Sequence, residues 1–115
     1  MKTLKRFYNQ FSSWLLYIFT GKQIFQTEFL DDTPKQLKDR TIYIIGTPRF
    51  VWSAMMKCPC GCNELIHLNL LPEGRPKWTH VIHKNSSVSL HPSVWRTKRC
   101  RSHFFLKNGT VEWCK

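Results

Sequence analysis

Cys58-Pro59-Cys60-Gly61-Cys62 places three thiols within five residues, and Cys100 and Cys114 follow far downstream. Thiols this close cannot pair with one another as relaxed disulfides, whose geometry is demanding. Crowded thiolates instead suit a tetrahedral soft-ligand site, and zinc is the ion that such a set takes. The ligands read as Cys58, Cys60, Cys62 and Cys100. Cys114 and His103 are alternates, because five thiols and an imidazole exceed what one tetrahedral ion needs. Gly61 lets the backbone turn so that amides face the sulfurs, and Pro59 stiffens the approach. Cys114 either returns to the cluster or is a spare thiol; the spacing leaves both open.

Hydrolytic chemistry has two routes through these residues. A catalytic zinc needs an open position for water and an acid–base group beside it, for which Glu64 and His103 stand close in sequence to the thiols. A serine route needs a hydroxyl with an imidazole base, and Ser93 or Ser102 with His91 or His103 supply both. Adjacent residues on a strand point to opposite faces, so Ser102 and His103 do not serve each other, and Ser93 with His103 is the better pairing. Ordinary roles stand beside these: Glu64 as a solvated strand-edge carboxylate, Ser93 as a turn residue bonding its own backbone. His67, His80 and His83 lack metal-ligand spacing and read as face or edge residues. Trp52, Trp78, Trp95 and Trp113 read as core and rim aromatics.

Such groups need a scaffold, and from residue 41 onward the pattern is one of short runs rich in β-branched and aromatic residues. These are 41–45, 50–56, 65–70, 78–83, 88–90, 102–106 and 111–113. Asn108-Gly109 between the last two is a strong hairpin signal, since both accept the positive φ of a type I′ turn. Pro72-Glu73-Gly74 and Asn85-Ser86-Ser87 mark further turns, and 31–40 offers a short helical turn. Upstream, Leu4, Phe7, Tyr8, Phe11, Trp14, Leu15 and Ile18 follow helical spacing, predicting an amphipathic helix within 1–26 ahead of a zinc-binding β domain at 27–115. The expected fold is mainly β: a small zinc-supported antiparallel sheet or compact barrel with that one N-terminal helix.

At 115 residues the chain suits one domain whose core is marginal without a further staple, which a metal would supply. An odd cysteine count and the lack of a cleavable signal point to a reducing, cytoplasmic setting. The apolar stretch 11–19 is too short to span a bilayer, and no transmembrane segment is expected. Eighteen Lys and Arg against seven Asp and Glu give a formal charge of +11, with no acid in 1–27. Arg96, Lys98, Arg99 and Arg101 form a second basic cluster. Anionic partners fit this balance, nucleic acid among them, though that reading needs exposed rings beside the basic cluster.

Taken in order, Cys58-Pro59-Cys60-Gly61-Cys62, Leu90-His91-Pro92-Ser93-Val94, Cys100-Arg101-Ser102-His103-Phe104 and Asn108-Gly109-Thr110-Val111-Glu112-Trp113 resemble a small bacterial family, domain of unknown function 6527. Upstream, Pro34, Leu37 and Ile42-Tyr43-Ile44 resemble its opening, so the likeness spans about residues 27–114. Where the family often runs Ser-Pro-Ser, this chain has His91-Pro92-Ser93. The residue after the final Trp is often not cysteine in the family, which bears on Cys114. The resemblance implies a place beside ubiquitin-like modifiers and their activating and conjugating enzymes in bacterial conjugation operons, where other such operons carry a peptidase.

The resulting expectation is a zinc-binding component of a bacterial ubiquitin-like conjugation pathway. It acts as a peptidase that processes or removes the modifier, with His103, Ser93 and Glu64 as candidate catalytic residues. The competing expectation is a non-catalytic adaptor with a structural zinc, whose basic surface binds a partner protein or nucleic acid. Expected partners are the modifier or its conjugates and the activating or conjugating enzyme of the same operon.

Overall fold

The computed structural model describes residues 23–96 and 99–114. Among them are nine strands and no helix: β1 (Gln26–Leu30), β2 (Thr41–Thr47), β3 (Phe50–Lys57), β4 (Leu65–Asn69), β5 (Thr79–Ile82), β6 (Val88–His91), β7 (Val94–Trp95), β8 (His103–Lys107) and β9 (Thr110–Trp113). They form three open sheets, ordered β1-β2-β3-β4, β5-β6 and β7-β8-β9.

Two expectations change. Among the described residues the sheets are open and form no closed barrel, and they are not wholly antiparallel, because β1 runs parallel to β2 with Gln26 opposite Thr41. The segment 31–40 that connects these parallel strands contains bends and turns and no helix. Its job is to cover a sheet face. Tyr43, Ile45 and Met55 are buried there against Leu30, Leu37 and Trp52, and the Lys38 amide donates to the Tyr43 hydroxyl at 2.9 Å. With one face under this segment and the other in the main core, β2 is buried over Thr41 to Ile45, which explains its unbroken apolar run. The expected N-terminal helix lies outside the described residues.

The main core joins all three sheets. Ile42, Ile44, Ala54, Met56, Ile66 and Leu68 from the large sheet meet Val88 and Leu90 of the hairpin, and Val94, Phe104, Leu106 and Val111 of the third sheet. β4 shows the expected alternation, with Ile66 and Leu68 inward and Leu65 and His67 outward. The β8–β9 turn is tied into the interior. Asn108 and Gly109 have φ values of +49° and +75°, and the Gly109 amide donates to the Val88 carbonyl while its own carbonyl accepts from Phe25. These ties hold β8, and with it His103, against both neighbouring sheets.

Candidate active site and metal centre

The knuckle following β3 and the turn preceding β8 converge. Cys58, Cys60, Cys62 and Cys100 bring their sulfurs within 4.8 Å of one another. Cys58 Sγ lies 3.4 Å from Cys60 Sγ and 3.7 Å from Cys100 Sγ. Tetrahedral zinc with bonds of about 2.3 Å to sulfur requires sulfur separations of about 3.8 Å, and the 3.4 Å and 3.7 Å spacings lie near that value, so the four thiols are consistent with such an ion. Gly61, at φ +92°, makes the turn that brings Cys62 round to the group.

The thiols differ in acidity. Burial pushes Cys58 up to about 12. The Ser102 hydroxyl, 3.3 Å from Cys100 Sγ and 3.6 Å from Cys58 Sγ, is the main cause that draws Cys100 down to about 6. Burial opposes ionisation at Cys60, yet hydrogen bonds from Ser102 and the neighbouring sulfurs leave its pKa lowered. At Cys62 a backbone hydrogen bond at Glu64 favours the thiolate, but the net shift is upward through its sulfur neighbours and burial. Ser102 therefore belongs to the sulfur cluster. Cys114 does not join the group of four; its amide donates to the His103 carbonyl at 2.8 Å.

On the opposite face of β8, one residue on, sits His103. Its Nε2 lies 2.7 Å from Ser93 Oγ. The contact arises because β7 pairs antiparallel with β8, Trp95 opposite His103, which puts Ser93 two residues upstream on the same face as Trp95. Arg96 N–H donates to Ser102 O, so the Trp95–His103 pair is a non-hydrogen-bonded one, where side chains approach most closely. The two rings accordingly stack, with centroids 5.0 Å apart and planes 17° from parallel. Trp95 is 65 % exposed, so it lies over the imidazole as an outer cover. The Trp78 indole N–H donates to the Ser93 carbonyl at 3.3 Å and fixes the serine's backbone. This use of Trp95 and Trp78 was not anticipated from sequence, where both read as generic core or rim rings.

The other candidates are placed elsewhere. Glu64 is ion-paired with Arg99. His91 lies opposite Thr79 in the β5–β6 hairpin and is exposed. A second serine–histidine contact exists, His83 Nε2 to Ser89 Oγ at 2.7 Å, but Ser89 Oγ also accepts from the Asn108 amide and thereby ties two hairpins together. Of the basic cluster, Arg96 donates to the Leu65 carbonyl at 3.2 Å and Arg99 holds Glu64, so two of its charges are engaged within the fold. Lys98 lies outside the described residues. No helix among the described residues is long and apolar enough to cross a membrane.

The described residues form a small β protein in which a serine–histidine contact lies beside four thiols that could hold a metal ion. The chain belongs to the family described as bacterial ubiquitination-like system serine protease (BubE), whose model matches residues 29–114. It is accordingly a component of a bacterial ubiquitination-like system, in line with the operon association that its motifs implied. No curated protein and no solved structure matches it.

Proposed function

We propose that the chain is a serine peptidase that cleaves the C-terminal tail of a ubiquitin-like modifier, or the link between the modifier and its conjugates. Ser93 is the nucleophile and His103 its general base. The observation that carries this reading is the 2.7 Å contact between Ser93 Oγ and His103 Nε2, the reach that proton transfer from the hydroxyl requires. In the acylation step Ser93 Oγ gives its proton to His103 Nε2 as it bonds the scissile carbonyl carbon. His103 then passes that proton to the departing amine as the C–N bond breaks. Water repeats the sequence on the ester, returning the acid and free Ser93.

Among the described residues no carboxylate orients the imidazole. The stacked Trp95 ring restrains it instead and offers a π-face to the imidazolium that forms during transfer. Zinc at Cys58, Cys60, Cys62 and Cys100 would supply a structural cross-link, since four thiolates complete its tetrahedron and leave no position for water. That donor set also suits the adaptor reading. The serine–histidine contact on the neighbouring face is what favours catalysis. Glu64, engaged by Arg99, serves as an ion-pair partner in this proposal.

The test is incubation of the zinc-replete protein with the modifier bearing its native C-terminal extension, followed by intact mass. Cleavage by the wild type and by Ser89→Ala, with loss in folded, zinc-bound Ser93→Ala and His103→Ala, is the expected result. An intact modifier, or cleavage that survives Ser93→Ala, would overturn it.

A further inference from the structure

A peptidase that works on a flexible tail needs a place to hold it extended, and β4 offers one beside Ser93. β4 is an outer strand of the large sheet. The Cys58 amide donates to Glu64 O and the Leu70 amide to Trp52 O, so the residues that bond β3 are the even-numbered ones. Leu65, His67 and Asn69 therefore direct their main-chain groups away from the sheet. The Leu65 carbonyl accepts from Arg96, and the Asn69 carbonyl accepts from the Trp78 amide at 2.8 Å. His67 lies between them, and among the described residues neither its N–H nor its C=O has a partner.

Among the described residues His67 is thus the one outward-facing position of β4 whose carbonyl is free. It lines a groove of about 250 Å³ whose walls include Trp78, Val94 and Trp95. The same residues serve the candidate active site, since Trp78 holds the Ser93 carbonyl and Trp95 stacks on His103. β7 bonds β8 through Val94 and Arg96, so the Trp95 backbone also turns outward on this side.

We infer that the groove between β4 and β7 binds an unfolded peptide tail by strand addition. One residue of the tail exchanges both main-chain hydrogen bonds with His67 in antiparallel register, and the chain beyond it passes along Trp95 to Ser93. In an antiparallel pair two facing residues exchange both bonds, so a single free position suffices for them. The proposal rests on the peptidase reading for its direction toward Ser93. It sets the substrate class as a segment able to become a strand; a folded surface cannot enter.

The test compares His67→Pro with His67→Ala in the full chain, each also carrying Ser93→Ala to prevent turnover, against a fluorescent synthetic peptide of the modifier's C-terminal tail. Proline removes the outward amide as well as the imidazole and fixes φ near about −65°, which strands tolerate at an edge, whereas alanine removes the imidazole and keeps the amide. Relative to His67→Ala, His67→Pro should bind at least about fivefold more weakly, the loss expected for one backbone hydrogen bond. Hydrogen exchange at the His67 amide of the Ser93→Ala protein, which needs no proline variant, should slow when the peptide is added. Equal binding by the two variants, or an amide that stays unprotected in the bound state, would overturn strand addition. With Ser93 restored, a tail that binds in this pattern yet is never cut removes the peptidase reading and leaves the inference standing. Cleavage with identical KM for His67→Pro and His67→Ala does the reverse, and a tail neither bound nor cut removes both.

Discussion

At the scale of single residues, the proposed chemistry turns on what holds an imidazole that has no carboxylate partner among the described residues. Trp95 stacks on its ring, and a stacked aromatic attracts the cation more than the neutral ring. Trp95→Ala should lower kcat for tail cleavage by about threefold to thirtyfold, the range that corresponds to a partly exposed cation–π contact. Trp95→Phe should recover most of it. Steady-state kinetics on the three proteins checks this, and unchanged kcat in Trp95→Ala would remove the positioning role. Glu64 gives a contrasting expectation. Its side chain keeps 31 % exposure and that of Arg99 72 %, so the pair is screened and contributes no more than about 1 kcal/mol. Glu64→Gln should therefore leave kcat within about twofold and move the urea midpoint little. The pairing of Ser93 with His103 was legible in sequence because strand alternation separates His103 from Ser102. The stack was not, since it depends on which positions of β7 and β8 form a non-hydrogen-bonded pair.

At the scale of elements, the β8–β9 turn carries more than its own hairpin. Gly109 sits at φ +75°, and a Cβ there would stand 2.8 Å from the Phe25 carbonyl oxygen, so space and backbone both require glycine. Gly109→Ala should cost about 1–3 kcal/mol, seen as a lowered midpoint in urea unfolding. The loss should exceed that of an alanine at the exposed Lys107 nearby. This turn was readable as Asn-Gly between two apolar runs, and the seven anticipated strands are all present with ends shifted by a residue or two. β1 was not anticipated. Gln26, Thr27 and Glu28 lack an apolar alternation, and the strand owes its existence to parallel pairing with β2. A parallel partner is joined through a long connection, so nothing local in the sequence announces it. β7 escaped for the opposite reason: two residues make no pattern, and its place is fixed by Val94 entering the core.

For the molecule as a whole, the question is why the proposed peptidase site would need the knuckle. Cys58 directly follows β3 in the large sheet, while Cys100 precedes β8 in the third sheet, so an ion shared by their sulfurs would fasten one sheet to the other. Those are the two bodies whose edges, β4 and β7, face each other across the groove beside Ser93. Metal binding should thus couple stability to activity with no ligand position given to substrate. Chelation with a strong zinc-binding agent should lower the melting temperature and reduce tail cleavage together, and added zinc should restore both. The pH dependence has a definite sign. Burial holds the Cys58 thiol at about 12 in the absence of an ion, so at neutral pH it is protonated and must lose that proton to the solvent as zinc binds. Zinc uptake should release protons, and lowering the pH should favour the thiol and release the metal. Calorimetry in buffers of different ionisation enthalpy measures the protons released, and element analysis against pH measures retention. Metal loss with unchanged cleavage would separate the knuckle from the site, and loss of both along one curve would make the sheet-to-sheet fastening the reason the site holds its shape.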